Sequence, residues 1–405
     1  MGKKEKAPCL RFKDTNGKDY PAWEQRKLGE LAATFGYGLN AAAKSFDGRH
    51  KYIRITDIDE STRRFLCSSL TSPDIDFEEA APYRLAEGDV LFARTGASVG
   101  KSYRYVRTDG EVYFAGFLIR FRFKDKEAAE FVFQNSLTAK FQNFIKTSSQ
   151  RSGQPGINAQ QFSGYQIAVP NSEERERIGS FFSRLDTAIT LHQRKLETLK
   201  KLKRTLLQKM FPKKGQLKPE LRFPGFTNDW EQRKLEELAS KFTGGGTPNT
   251  SNPNYWNGEI PWIQSSDLKE DDVLSLTVKK HISQEGLKNS ATKIVPKNSL
   301  VIVTRVGVGK LVVNTQEIAT SQDFLSLSGI KGDSRFLAYS LYSLLKKITR
   351  RVQGTSIKGI TKTDFLKETI LVPALEEQEK ISSCMVEVDK LITLHQRNSP
   401  YQNQL

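Results

Sequence analysis

Two loops in this chain combine basic and amide side chains in a way that suits the reading of base pairs. The first runs QRSGQPGIN at 150–158 and the second RRVQGTSIKGI at 350–360, at matching positions in the two halves. In the major groove of DNA, arginine reads guanine, and glutamine or asparagine reads adenine, through paired hydrogen bonds. A plain solvated loop remains the alternative for each side chain. The candidate base contacts from these loops are Arg151, Gln154, Gln353 and Lys358.

A glycine-rich run with a lysine follows a predicted strand in each half. TGASVGKS at 95–102 resembles a phosphate-binding P-loop, but Thr95 stands where the first glycine belongs, and GVGKL at 307–311 lacks the Ser or Thr. Such a loop can still meet a DNA phosphate through its backbone amides, and a tight turn with a solvated lysine is the alternative. The candidate DNA contacts here are Arg94, Lys101, Arg305 and Lys310. Replacing Lys101 should weaken binding to all sequences and lower its salt dependence.

The patterns that would indicate catalysis are incomplete. NPNY at 252–255 resembles the NPPY signature of adenine methyltransferases, but Asn254 replaces a proline and no glycine-rich adenosylmethionine loop precedes it. The four histidines form no site, and the three cysteines offer neither a disulfide framework nor a metal-ligand cluster. We therefore predict a non-catalytic chain without catalytic residues and without a metal site.

The charge balance points to a polyanionic partner. Lys and Arg total 63 of the 405 residues against 46 Asp and Glu, which gives a net charge of +17. A surplus of this size favours nucleic acid, with solubility alone as the alternative. The few scattered cysteines fit a reducing compartment, and no apolar run approaches a membrane span. We expect a cytoplasmic protein.

Two sequence motifs occur twice and divide the chain into similar halves. WEQRKL occupies 23–28 and 230–235, and ITLHQR occupies 189–194 and 392–397. Between these repeated edges the two interiors differ almost completely. This arrangement predicts one scaffold that presents two different recognition surfaces, rather than an enzyme with a single pocket.

The repeats and the periodicity predict a mixed α/β (α+β) fold with two similar domains. Short β-rich runs precede a helix in each interior, predicted at 127–145 and 336–348, and each interior closes on an apolar strand that ends in proline. The predicted divisions are a lead-in at 1–20, a first domain at 21–171, a long helix at 172–213, a second domain at 214–373, and a short helix with a polar tail at 374–405.

Apolar residues recur in steps of four and three after each closing strand, which is typical of a coiled-coil seam. Asn171 or Ser172 caps the first of these helices, with Glu173 and Glu174 in its first turn. The predicted seam positions are Ile178, Phe182, Leu185, Ile189, His192, Leu196, Leu199, Ile381, Met385, Val388, Ile392 and His395.

The two seams are predicted to pair with each other, because each is apolar on one side only. Antiparallel pairing would relate the halves by a rough two-fold axis, and two separate amphipathic helices are the alternative. Because the second helix is shorter, Leu199, Leu206 and Met210 of the first are expected to lack a mate within the chain.

Together, these duplicated motifs resemble the specificity subunit of Type I restriction–modification systems. The resemblance covers nearly the whole chain and includes WEQRKL in both halves, GGGTP at 244–248 with YWNG at 255–258, RTGASVGK at 94–101, and the transitions from strand through proline to a Glu-rich helix at 167–178 and 370–381. By this resemblance, the interiors are target-recognition domains, and the helices are spacers that fix the distance between two half-sites.

The resemblance also implies partners and a division of labour. Family members read a bipartite, asymmetric site in double-stranded DNA, and they assemble with two adenine-methylating subunits and with restriction subunits that translocate and cut DNA. Adenosylmethionine, ATP and magnesium would then belong to the partner subunits, and this chain would carry no cofactor. The rival interpretations are a methyltransferase or nuclease with its own activity, and a protein-interaction scaffold.

Overall fold

The computed structural model describes residues 8, 10–124, 126–150, 154–352 and 359–397, with only the backbone described at 350–352 and 397. The chain divides into two compact units, Met1–Thr190 and Leu191–Leu405. Arg151, Gln353, Lys358 and the predicted polar tail at 398–405 lie outside the described residues. Within the described ranges, no helix is long and apolar enough to cross a membrane.

The first unit mixes short strands with helices. Its strands are β1 (Glu24–Lys27), β2 (Ala32–Tyr37), β3 (Ala43–Ser45), β4 (Lys51–Ile53), β5 (Thr71–Pro73), β6 (Asp89–Ala93), β7 (Ser102–Arg104), β8 (Val112–Phe114), β9 (Leu118–Phe123) and β10 (Gln166–Val169). Its helices are α1 (Leu28–Leu31), α2 (Lys126–Ser136), α3 (Ala139–Ser148), α4 (Ala159–Ser163) and the start of α5 (Ser172–Lys209).

The second unit repeats this order for the strands of its main sheet and for its two closing elements. Its strands are β11 (Glu231–Lys234), β12 (Ala239–Gly244), β13 (Trp256–Ile263), β14 (Lys280–Ile282), β15 (Ile294–Val295), β16 (Leu300–Val303), β17 (Leu311–Val313), β18 (Ile318–Thr320), β19 (Phe324–Ile330) and β20 (Thr369–Val372). Its helices are α6 (Gln284–Lys288), α7 (Ser334–Val352), α8 (Lys362–Lys367) and α9 (Leu375–Arg397), together with the end of α5.

The sheets confirm that the two units share one topology. An antiparallel sheet of four strands has the order β2-β9-β6-β7 in the first unit and β12-β19-β16-β17 in the second. Beside it, β4 pairs in parallel with β8, as β13 does with β18. Each WEQRKL strand pairs antiparallel with the strand that closes its own domain, β1 with β10 and β11 with β20. The duplicated edges therefore close two copies of one fold.

The helices that pack on the two main sheets differ from each other. The predicted helix at 127–145 is wrong in one respect, because the chain breaks into α2 and α3. Thr138 causes the break: its hydroxyl accepts a hydrogen bond from the Phe141 amide and caps a new helix. In the second unit, α7 runs unbroken over 19 residues. The cores differ as well, since Phe92, Phe121 and other aromatic rings fill the first, whereas aliphatic residues line the strands of the second.

The start of each long helix is fixed by a buried ion pair. Asn171 caps α5, as predicted, by accepting a hydrogen bond from the Glu174 amide at 2.9 Å. The Glu174 carboxylate is fully buried and binds both Nε and Nη2 of Arg11, at 2.9 and 2.6 Å. Glu377 of α9 binds Arg222 in the same way, at 2.7 and 2.8 Å. The lead-in sequence is therefore a fixed part of the repeat, carried by the LRF motifs at 10–12 and 221–223.

The second halves of the two seams form an antiparallel helix pair in the second unit. Leu196 and Leu199 of α5 pack with Val388 and Ile392 of α9 as one buried cluster. Nδ1 of His192 lies 3.3 Å from Nδ1 of His395, so the two ITLHQR motifs meet at one layer. One layer further along, the Lys203 ammonium lies 2.7 Å from the Asp389 carboxylate.

The other predicted seam positions have different surroundings. Ile178 packs on the core of the first domain, and Ile381 and Met385 lie in the core of the second. Phe182 and Leu185 are 41% and 40% exposed. The remaining position, Ile189, is half-buried.

The expectation that the end of α5 lacks a mate is wrong. Leu199 and Met210 are 9% and 3% exposed, and Leu206 packs against the core of the second domain. The reason is the direction of the pairing: in an antiparallel pair, the start of α9 lies beside the end of α5. A shorter α9 therefore leaves the end of α5 covered.

Candidate nucleic-acid interface

The lysines of the two glycine-rich loops, which were predicted to contact DNA, donate hydrogen bonds to backbone carbonyls of their own domains; Lys101 is buried and Lys310 is half-buried. The Lys101 ammonium is 3.0 Å from the Ile58 carbonyl and 2.7 Å from the Glu60 carboxylate, and the side chain is 9% exposed. The hydrogen bond from Lys101 lowers the pKa of Glu60. Lys310 makes the matching bond to the Leu268 carbonyl at 3.1 Å. Each ammonium group holds the loop that follows β4 or β13 in place, so the lysine after the glycine has a structural role in both domains.

Arg94 and Gln154, by contrast, lie together on one surface of the first domain. The guanidinium of Arg94 stacks 4.8 Å above the ring centre of Tyr37, which is 45% exposed. The backbone carbonyl of Arg94 accepts a hydrogen bond from the Ile157 amide at 2.8 Å, and the Gly96 amide bonds to the Pro155 carbonyl at 2.9 Å. The loop that carries Gln154 is thus attached to the loop after β6.

The second domain keeps the first of these two backbone bonds. The Ile360 amide donates to the Thr304 carbonyl at 2.9 Å, just before α8 begins. Next to this contact, the side chain of Arg305 is exposed, and Val306 is 70% exposed. Arg305 therefore lies on the corresponding surface of its domain.

The two arginines do not occupy equivalent positions, although their sequence contexts suggest that they do. Ile157 donates to Arg94 in the first domain, whereas the matching bond from Ile360 goes to Thr304 in the second. The loop between β6 and Lys101 holds seven residues, 94–100, and its counterpart before Lys310 holds six, 304–309. Arg305 accordingly corresponds to Thr95, and each domain places its arginine at a different point on a common backbone.

Sequence reasoning missed a second loop on this side of each domain. Arg54 follows β4, and its guanidinium binds the Asp57 carboxylate through Nε at 2.8 Å and Nη2 at 3.0 Å. This hydrogen bond raises the pKa of Arg54. In the second domain, Gln264 takes the same position: its backbone N–H donates to the Asp267 carboxylate at 2.9 Å, as that of Arg54 does to Asp57 at 3.0 Å. The side-chain amide of Gln264 instead donates to the Ser266 hydroxyl at 3.0 Å.

This loop could have been found from the sequence. IRITDI at 53–58 and IQSSDL at 263–268 begin at the last residue of corresponding strands, and each ends at the residue whose carbonyl accepts the hydrogen bond from the loop lysine. An aspartate three residues after an arginine or glutamine caps a short 3-10 helix in both copies. Both copies keep the aspartate and its bond to the backbone N–H three residues earlier, whereas the side chain at that earlier position changes from arginine to glutamine.

The NPNY motif forms a cap rather than a reactive pocket. Asn252 accepts a hydrogen bond from the Asn254 amide at 3.0 Å and starts the 3-10 helix Pro253–Tyr255. Across the residues that the structure describes, no group of three or more His, Cys, Asp or Glu is placed to hold a metal ion.

Comparisons with known proteins agree with the duplicated architecture. The family described as Type I restriction modification DNA specificity domain matches twice, at residues 21–201 and 227–401. The putative type I restriction enzyme MjaX specificity subunit of Methanocaldococcus jannaschii is 26% identical over 406 residues, covering 95% of this chain and 91% of that protein. The EcoR124I/EcoR124II specificity subunit of Escherichia coli is 28% identical over 172 residues, 40% of this chain and 41% of its own length.

A solved structure shows the same fold. The crystal structure of the S subunit of a type I restriction–modification system from M. genitalium has a TM-score of 0.61 at 13% identity, and the match covers 93% of this chain and 92% of that one. The two family matches take in most of the sequence and coincide with the two copies of the fold. The chain therefore belongs to the family of Type I restriction–modification DNA specificity proteins and carries two specificity domains in tandem.

Proposed function

We propose that this chain is the specificity subunit of a type I restriction–modification complex and that it reads a bipartite, asymmetric site in double-stranded DNA. Each domain reads one half of the site, and the paired helices fix the distance between the halves. In each domain we call one surface the reading surface. It consists of the loop after β6 (94–100) or β16 (304–309), together with the segment before α4 or α8 that bonds to this loop through Ile157 or Ile360. Phosphate contacts there come from exposed basic groups and backbone amides rather than from Lys101 and Lys310.

One observation carries this proposal: the two domains keep the same backbone bonds on these surfaces and change the side chains. Arg54 is replaced by Gln264, and Arg94 by Thr304, at matching positions. A protein that reads two different half-sites needs this combination, because the backbone sets the approach to the duplex and the side chains select the bases.

The chain supplies recognition, and its partners supply the chemistry. Two adenine-methylating subunits bind adenosylmethionine, and restriction subunits use ATP and magnesium to translocate and cut DNA. The net charge of +17 suits a subunit whose task is to hold a polyanion. No catalytic role is assigned to any residue of this chain.

The decisive experiment is to express the chain with its methylating partner and to map the methylated adenines across the host genome. The expected result is a single bipartite motif with a fixed gap. Exchanging residues 21–171 for the corresponding domain of a relative should change one half of the motif and leave the other half and the gap unchanged. Methylation without a defined motif, or adenosylmethionine binding by the isolated chain, would contradict the proposal and favour an enzyme with its own activity. Failure of the assembled complex to retain duplex DNA at moderate salt would favour a protein-interaction scaffold.

A further inference from the structure

A tight turn in the first domain presents an aromatic residue that no sequence pattern singles out. Residues 115–118 join β8 to β9, and the Leu118 amide donates to the Ala115 carbonyl at 2.9 Å. Phe117 lies in this turn with 62% of its surface exposed. A single exposed apolar residue is ordinary in itself, but Phe117 lies in a turn that is held by backbone hydrogen bonds and adjoins the candidate DNA contacts.

The turn is fixed on both sides by backbone hydrogen bonds. The Phe117 carbonyl accepts from the Arg94 amide at 3.1 Å, and the Gly116 amide donates to the Leu39 carbonyl at 2.8 Å. A side chain at Gly38 would place its Cβ only 2.3 Å from the Ala115 carbonyl oxygen, so the approach requires glycine there. The backbone that carries Phe117 is therefore set before any ligand arrives.

The surroundings of Phe117 are the reading surface of the first domain. Arg94 is its direct backbone partner, and the guanidinium of Arg94 stacks on the exposed ring of Tyr37. Gln154 lies beside the same loop: its side-chain amide nitrogen is 3.2 Å from the position that a Cβ atom on Gly96 would occupy. A planar cation, an amide and the exposed ring of Tyr37 thus lie around the loop to which the turn of Phe117 is bonded.

The second domain builds the same turn with a different residue. The Ser321 amide donates to the Ile263 carbonyl at 2.9 Å, as Ala115 does to Ile53 at 3.0 Å. The Thr304 amide donates to the Asp323 carbonyl at 2.8 Å, which is the counterpart of the bond from Arg94 to Phe117. An acid therefore takes the position that an aromatic residue holds in the first domain; Asp323 is half-buried, and one oxygen of its carboxylate accepts a hydrogen bond from the Ser321 hydroxyl at 3.3 Å.

We propose that Phe117 is a specificity-determining residue that contacts the 5-methyl group of a thymine in the first half-site. This inference rests on the proposed function. Apolar contact, including contact by phenylalanine, is how proteins recognise that methyl group in the major groove, whereas an aspartate accepts a hydrogen bond from cytosine. Phe117 in the first domain and Asp323 in the second occupy equivalent positions of the two turns. This difference is expected if the first domain selects thymine at that point and the second selects cytosine.

The first test maps methylated adenines in cells that express the complex with Phe117→Ala. The thymine requirement should relax at one position of the half-site that the first domain reads, while the other half-site and the gap stay as in the wild type. Leu137→Ala is the matched control, since Leu137 is 43% exposed in the same domain but lies in the turn between α2 and α3. The control should leave the whole motif unchanged.

The second test removes only the methyl group. Uracil replaces each thymine of the recognised duplex in turn, and the affinity of the assembled complex is measured. Wild type should lose about fourfold at one thymine of that half-site, the value of one buried methyl group, and the Phe117→Ala complex should lose nothing there. An unchanged motif in Phe117→Ala, or equal binding of uracil and thymine by the wild type, overturns the inference. If the wild-type complex has no bipartite motif at all, the proposed function itself fails.

Discussion

Replacing Lys101 with methionine tests whether this lysine stabilises the fold or contacts DNA. Methionine keeps most of the aliphatic stem but leaves the Ile58 carbonyl without the ammonium that lies 3.0 Å away. A hydrogen bond to a charged group contributes about 1.5–3 kcal/mol. The contact with Glu60 adds little, because that carboxylate is 74% exposed. We expect a loss of about 2 kcal/mol, which lowers the melting temperature of a domain of this size by about 4–8 °C.

The assay combines thermal unfolding with DNA binding by the assembled complex over a range of salt concentrations. With a structural role, the slope of log affinity against log salt stays at the wild-type value, measured well below the melting temperature. Lys310→Met should behave in the same way through the bond to Leu268. Lys140→Met is the control, because Lys140 is exposed and its loss should change stability by no more than about 0.5 kcal/mol. Unchanged stability with a slope reduced by about 0.9, the effect of losing one phosphate contact, would refute the reasoning.

Three further changes test other parts of the structure. Arg222→Leu should lower the free energy of unfolding in urea by about 3 kcal/mol, because it leaves the Glu377 carboxylate, which is 1% exposed, without its partner. Adding Glu377→Leu should restore much of this free energy. A loss below about 1 kcal/mol in the single variant would contradict the expectation. Desolvation and neighbouring positive charge lower the pKa of His395 from 6.5, so the unfolded chain takes up the proton more readily, and stability should fall as the pH drops below about 6.5. Thermal unfolding between pH 7.5 and 5 should show a smaller fall of stability in His395→Gln than in the wild type, and an equal fall would exclude protonation of His395 as its source. Gln154→Ala should relax one position of one half-site in the methylation map, and an unchanged motif would remove Gln154 from the reading surface.

The repeated scaffold could be predicted from the sequence because its residues recur with a period and at fixed edges. The repeated domain edges, the cap at Asn171 and the helix pair follow from such patterns. The pairing of each WEQRKL strand with the strand that closes its domain was not predicted, because it joins opposite ends of the domain sequence. The break between α2 and α3 was missed, because Thr138 interrupts a stretch whose apolar spacing otherwise continues. The uncovered end of α5 was wrongly predicted because helix lengths were compared without following the direction of the pairing.

The candidate site was less predictable, because side-chain direction decides it. Lys101 and Lys310 follow glycines in surface-type loops, yet both ammonium groups turn inward to carbonyls far away in sequence. Neither carbonyl partner can be recognised without the fold, since a backbone acceptor leaves no trace in residue type. The assignment of Arg94 and Gln154 to one half-site stays a prediction; the structure adds that the Gly96 amide bonds to the Pro155 carbonyl, which attaches the loop of Gln154 to the loop of Arg94.

The backbone bonds of the loops 94–100 and 304–309 show which of their residues are equivalent. The bonds from Ile157 and Ile360 align Arg94 with Thr304, so Arg305 aligns with Thr95 and the missing residue falls later in the second loop. Residues aligned by type alone, such as Arg94 and Arg305, are therefore not equivalent. Under the proposed function, the two arginines would contact different positions of their half-sites, although the backbone that carries them is the same.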